Sequence, residues 1–391
     1  MTPRILVVDD EPAILRSVER VLSPPYQVAC TRLPGEAVGL AGTFGPDLVI
    51  LDLRMPDMDG FELMGRLKAA RPDVEIILMT GSIRELDAQL VRALREKAFY
   101  FLQKPFDREV LQTLVERCLD LRRLEKENQR HLNRLELELA EARAFQQSLL
   151  PPEQGWAGGV SVAARYLPSS ELGGDFYDYV AAGQDGATLL VADVAGHGAT
   201  AAMLTGVVKS AFHSASVEGY EPLSIVTRVA SGIRAFGHER FITLVCVRVS
   251  TVKSLIEYVN AGHPPGILWG PDQGTVLMEA TGPLISPAFL NFSWKQETLR
   301  FQHQDRLLLF TDGIEDVGGE QGLFGLERII EEVTRNRGGG ACLLDQILTS
   351  VREFTGGRLI QDDLTLLTAD LGLTARLPEG SGQVKEIATF Q

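Results

Sequence analysis

Several things are scarce in this sequence. It has four cysteines in 391 residues (Cys30, Cys118, Cys246 and Cys342), scattered and without CxxC spacing. That excludes a disulfide framework and a cysteine-ligated zinc site, and the four read as buried small hydrophobes in a reducing compartment. No apolar stretch reaches the roughly 18 residues that a membrane-spanning helix needs. The opening MTPRILVVDDE lacks the apolar core of a signal peptide. A cytoplasmic protein with no membrane partner is expected. Basic residues are outnumbered, 38 against 52 acidic, for a formal net charge of -14. A field of that sign disfavours nucleic acid as a partner. Glycine and proline are absent from residues 107–149, so nothing there interrupts a helix.

The length implies two or three domains. In the first hundred residues, short apolar runs at 4–8, 28–31, 48–51, 76–79 and 99–102 alternate with amphipathic segments such as 12–22 and 60–70. Strands alternating with helices predict a parallel sheet covered on both faces. Residues 107–149 carry two seams seven residues apart in repeat. One is Leu114, Leu121, Asn128, Leu135, Ala142 and Leu149; the other is Leu111, Cys118, Glu125, Leu132, Leu139 and Gln146. This is a heptad pattern, interrupted by Glu125 and Asn128, and it predicts a long helix that pairs with a second copy. One solvated helix, or a helix packed on its own domains, is the alternative. Pro151 and Pro152 end it. Beyond it, strand-like runs at 188–191, 241–249, 255–260, 306–310 and 364–369 and helical patterns at 199–216, 222–236 and 325–335 suggest an α/β sandwich. The expected domains are 1–120, a helical linker over 107–152, a second globular unit over 153–372, and a loose tail over 373–391.

Two carboxylate constellations carry the chemistry. Asp9 and Asp10 follow the first strand, Asp52 the third, Thr80 the fourth and Lys104 the fifth. Residues beyond the carboxyl ends of such strands converge at one edge. Clustered carboxylates call for a divalent cation, and oxygen ligands favour magnesium. With a lysine beside it, Asp52 becomes a nucleophile for a phosphoryl group. These residues resemble the receiver domain of response regulators. The resemblance implies a flavodoxin-like fold and phosphorylation of Asp52 by a sensor histidine kinase. It also implies magnesium held by Asp10, Asp52 and the Arg54 carbonyl, with Asp9 acting through water. Thr80 and Lys104 would contact phosphoryl oxygens. Phe101 takes the switch position often held by Tyr.

In the second unit, Asp175 lies in ELGGDFYD, Asp193 in LLVADVAGHG, Asp312 in LLLFTDGIED and Asp362 in QDDLTLL. Four carboxylates without histidine make a hard-oxygen site suited to two magnesium or manganese ions. With FQQSLLP, FITL and YVNAGHPPGIL in order, these motifs resemble the bacterial sigma-factor-regulating branch of the PPM protein phosphatases over residues 143–370. That resemblance implies catalytic metal ligation by Asp175, Asp193, Asp312 and Asp362, with the Val194 carbonyl a further ligand and Asp363 ranked below Asp362. It implies a phosphorylated anti-sigma factor antagonist as substrate. Gly174 stands where the wider family often has Glu. His197 reads as a turn residue flanked by glycines, with a phosphate or water contact as the alternative, His263 as a loop-ordering residue, Arg165 as a surface or core-edge arginine and Asp178 as an exposed loop charge. The competing reading is a non-enzymatic adaptor that binds a sigma factor or the antagonist, which should have lost metal aspartates.

Overall fold

The computed structural model describes residues 2–81 and 100–371, apart from 184–185, 197, 235, 237–239, 272–273, 290–291, 320–321, 337 and 359. His197 and the tail expected over 373–391 lie outside the described residues. The chain divides into two compact units, Met1–Leu135 and Glu136–Gln391.

The first unit is built on a parallel sheet of β1 (Arg4–Val8), β2 (Gln27–Thr31), β3 (Leu48–Asp52), β4 (Glu75–Thr80) and β5 (Tyr100–Gln103), in the order β2-β1-β3-β4-β5. Apart from Arg4 at the start of β1, the central strands are buried, as near-continuous apolar runs require. Helices α1 (Pro12–Leu22), α2 (Pro34–Phe44) and α3 (Gly60–Ala70) cover it. Leu6, Val49 and Leu78 pack with α2 and α3 on one face. Ile5, Ile50 and Ile77 pack with α1 on the other.

Helix α4 runs unbroken from Arg108 to Leu149, 42 residues. Its first turns belong to the core of the first unit: Leu111, Val115 and Cys118 have no exposed surface. Arg122, 5% exposed, pairs with Asp73 at 2.8 Å and Asp47 at 3.6 Å. The early heptad positions are therefore occupied within the chain, which narrows the predicted self-pairing seam. From there on Leu121, Leu124, Leu132, Leu135, Leu137 and Leu139 are exposed.

The second unit stacks two antiparallel sheets. One has the order β14 (Glu297–Arg300), β11 (Leu255–Ala261), β10 (Ile242–Ser250), β9 (Gly186–Val194), β8 (Asp175–Ala181). The other has the order β13 (Gly274–Met278), β12 (Gly266–Gly270), β15 (Arg306–Phe310), β18 (Leu364–Asp370), β7 (Val160–Leu167), β6 (Gln154–Ala157), and β16 (Gly318–Gly319) pairs separately with β17 (Gly322–Leu323). Tyr177, Val191, Val245, Leu309 and Leu367 fill the space between the sheets. Helices α5 (Ala199–Ser214) and α6 (Pro222–Ile233) cover the first sheet. Helices α7 (Gly325–Arg335) and α8 (Gly340–Thr355) cover the second. The sequence pattern did not single out α8, although Leu343, Leu344, Ile347 and Val351 give it a buried stripe. The run Gly338–Gly339–Gly340, whose last residue opens the helix, reads as a turn.

Two expectations are corrected. Cys342 is exposed; the other three cysteines are buried or half-buried. Asp178 is a buried strand residue, not an exposed loop charge: β8 aims it at α5, where Lys209 (2.8 Å) and His213 (2.9 Å) meet its carboxylate.

Candidate functional site

In the first unit, Asp9, Asp10 and Asp52 form a trio whose ligand atoms all lie within 4.8 Å of one another. Each sits where a parallel strand ends. Lys104 Nζ reaches Asp9 at 2.6 Å and Asp52 at 3.1 Å. Burial pushes the Asp52 carboxyl above the ordinary carboxylate range, partly offset by Lys104, with Asp9 adding to the rise. Burial works against the Lys104 charge, but its contacts with Asp9 and Asp52 hold its pKa above the usual value. The backbone N–H of Arg54 bonds the Asp52 carboxylate. Thr80 is buried at the end of β4, and Phe101 is half-buried in β5. The charge left over is negative, and hard oxygen donors of this kind suit a small divalent cation.

The second site lies where β8 and β9 pair. Asp175 and Asp193 are direct partners across that ladder. Asp175 is 3% exposed, and two hydroxyls, from Thr365 (2.6 Å) and Thr311 (2.7 Å), donate to its Oδ2. Burial, and then the charge of Asp193, drive its pKa well above the ordinary range. Asp193 is pushed up to about 7 by burial and by the charges of Asp312, Asp362 and Asp363. Asp312 is raised by burial and by Asp362 and Asp316. This is a set of acids held together with too little positive charge, the condition that bound divalent cations relieve. Oxygen donors of this kind suit magnesium or manganese.

Asp363 has a separate task. Its Oδ1 accepts from the backbone and hydroxyl of Ser169, and its Oδ2 from the N–H of Gly174 at 2.6 Å. It anchors the loop that delivers Asp175. Gly174 has a steric reason: a Cβ there would lie 2.5 Å from the Val194 carbonyl oxygen. Gln146, at the end of α4, donates to the Gly173 carbonyl at 2.7 Å and accepts from its N–H at 3.3 Å. Sequence reasoning missed the roles of Thr311, Thr365 and Gln146. Their only signal was that they lie within FTDG, DDLTLL and FQQSLLP.

His263 is 4% exposed, bonded through its N–H to Asn260 and through Nδ1 to Thr243. Arg165 is held by Asp345 (2.9 Å) and Glu153 (3.4 Å).

The response regulator receiver domain model matches residues 5–116, and the model of stage II sporulation protein E matches residues 183–372. Among curated proteins, the chain is 28% identical over 218 residues to phosphoserine phosphatase RsbP of Bacillus subtilis, covering 54% of this chain and 52% of that protein. It is 26% identical over 200 residues to phosphoserine phosphatase RsbU of the same organism, covering 50% and 59%. Its first part is 35% identical over 131 residues to the regulatory protein AtoC of Escherichia coli, covering 33% and 28%. The chain thus spans little more than half the length, or less, of these relatives. The SiaA-PP2C domain of Pseudomonas aeruginosa superposes with a TM-score of 0.53 at 20% identity, covering 62% of this chain and 98% of that one; this is a likeness of fold. The chain carries a response-regulator receiver domain followed by a PPM-type phosphatase domain of the stage II sporulation protein E family.

Proposed function

We propose that this protein is a response regulator whose output is metal-dependent hydrolysis of phosphoserine or phosphothreonine on a protein. The observation that carries the reading is that Asp193 pairs with Asp175 across β8 and β9 and also feels the charges of Asp312 and Asp362. These four, with the Val194 carbonyl, would hold two manganese or magnesium ions, which supply an activated water and charge neutralisation for phosphomonoester cleavage. The protein's own residues set the geometry. Thr311 and Thr365 fix the Asp175 rotamer, and Asp363 and Gln146 clamp the loop before it.

In the receiver, Asp52 is the proposed phosphoacceptor, with magnesium held by Asp9, Asp10, Asp52 and the Arg54 carbonyl, and Thr80, Phe101 and Lys104 forming the switch. A sensor histidine kinase is the proposed donor. The names of RsbP and RsbU support a phosphoserine substrate, and a phosphorylated anti-sigma factor antagonist is the proposed one. We take 1–120 as the receiver, 107–152 as the linker and 153–372 as the phosphatase. Homodimerisation is proposed through the exposed leucines of α4, in the cytoplasm; among the described residues no helix is long and apolar enough to cross a membrane.

The test is turnover of a phosphoserine protein by the purified full chain with manganese, before and after treatment with a small acyl phosphate. Absence of turnover in the wild type, or equal turnover in Asp193→Ala, would sink the enzyme reading and favour the adaptor.

A further inference from the structure

The Gly196 backbone separates the acidic rim from a guanidinium that the metal chemistry does not use. Strand β10 pairs with β9 so that Thr243 faces Asp193 and Ile242 faces Val194. The ladder continues one step past the strand, where the N–H of Ala195 donates to the Phe241 carbonyl at 3.0 Å. That step brings Arg240 alongside Gly196. A Cβ built on Gly196 would lie 3.0 Å from Arg240 Nη1. On its other side Gly196 adjoins the catalytic loop: a Cβ on Gly174 would meet the Val194 carbonyl at 2.5 Å, the Gly196 carbonyl at 3.3 Å and Asp193 Oδ1 at 3.5 Å. Two glycines thus form a floor, with Asp193 at one side and Arg240 at the other.

Two arginines from the same part of the unit are already engaged. Arg143 pairs with Glu171 at 3.0 Å, and Arg165 pairs with Asp345 at 2.9 Å. Arg240 is half-buried and has no ion pair among the described residues. A phosphomonoester approaching four aspartates meets repulsion, and its outward oxygens need a donor that the carboxylates cannot provide. A guanidinium fork matches those oxygens in charge and geometry. We propose that Arg240 holds a phosphoryl oxygen of the substrate across the Gly196 floor. This rests on the phosphatase reading above and assigns a substrate-binding residue that none of the four-aspartate motifs contains.

The experiment compares wild type, Arg240→Ala and Arg240→Lys as full chains. Turnover of p-nitrophenyl phosphate and of a phosphoserine peptide is measured with manganese, and binding of inorganic phosphate by calorimetry with magnesium. Because Arg240 has no ion pair among the described residues, Arg240→Ala is expected to keep the wild-type melting temperature. The expected result is a KM about ten-fold higher for both substrates in Arg240→Ala, phosphate binding weakened about as much, and partial recovery in Arg240→Lys. Unchanged KM and phosphate binding would overturn the assignment. A loss confined to the peptide would overturn it too, because the contact would then be to the polypeptide. If the wild type hydrolyses neither substrate, the phosphatase reading fails, and calorimetry still decides Arg240: phosphate binding that depends on it supports the assignment, and binding indifferent to it, or none, sinks it.

Discussion

Gln146 and Gly173 share two hydrogen bonds, the amide of one side chain closing on both backbone groups of the other residue. The last turn of α4 is thereby tied to the loop whose next residues are Gly174 and Asp175. Replacing Gln146 by Ala leaves two buried backbone groups without partners, at a cost of about 1–3 kcal/mol. We expect Gln146→Ala to lower the melting temperature of the second unit and to cut kcat more than it changes KM. Calorimetry and steady-state kinetics on a phosphopeptide check this, and wild-type kcat would refute the coupling.

Asp175 and Asp193 face each other where burial penalises both charges. Removing one charge should relieve the metal-free protein while removing a ligand. Asp193→Asn is expected to melt higher than wild type in chelator, to gain less from added manganese, and to lose at least about a hundred-fold in turnover. Melting curves with and without manganese read the first two. A variant less stable than wild type in chelator would show that the acids are compensated in some other way.

His263 has its pKa lowered to about 3 by burial, from a usual 6.5. Between those values the unfolded chain binds a proton that the folded chain does not, so unfolding becomes easier as pH falls. The contribution is present above about pH 6.5 and is lost on the way down, with a slope of at most about 1.4 kcal/mol per pH unit from this one group. His263→Gln should flatten the stability profile of the second unit between pH 6.5 and 4, measured by urea denaturation.

Gly174 abuts the Val194 carbonyl. Gly174→Ala should destabilise the second unit by about 1–3 kcal/mol through overpacking and weaken manganese binding by displacing that carbonyl. A variant with wild-type metal affinity would remove Val194 from the ligand set.

Leu132 and Leu135 are exposed on α4. The double change to Asp should give a monomer by light scattering at concentrations where wild type is dimeric, with no change in the melting of either unit.

Much of this was legible in the sequence, and the rest was hidden for definite reasons. Parallel strands of unbroken apolar residues announced the first sheet, and the acids at their ends announced its edge. Strand β8 was harder to see, because its residues Asp175 and Asp178 are charged and strand patterns discount charge; both are buried because Thr311 and Thr365 bond one and Lys209 and His213 neutralise the other. Heptad spacing cannot tell a partner helix from a sheet of the same chain. That is why Leu111 and Cys118 scored as seam residues although they lie in the receiver core. The task of Asp363 depends on backbone N–H groups nearly two hundred residues away, at Ser169 and Gly174, which no local pattern encodes.

The shortened seam of α4 has a consequence for dosage. Once the early positions belong to the receiver core, the exposed leucines from Leu121 to Leu139 span fewer than three heptads, and short coiled coils associate weakly. Pairing of that strength is governed by mass action, so the paired fraction would rise with the amount of protein a cell makes. If α4 pairs as proposed, expression level would act as an input beside the proposed phosphorylation of Asp52, and a modest change in copy number would move the output.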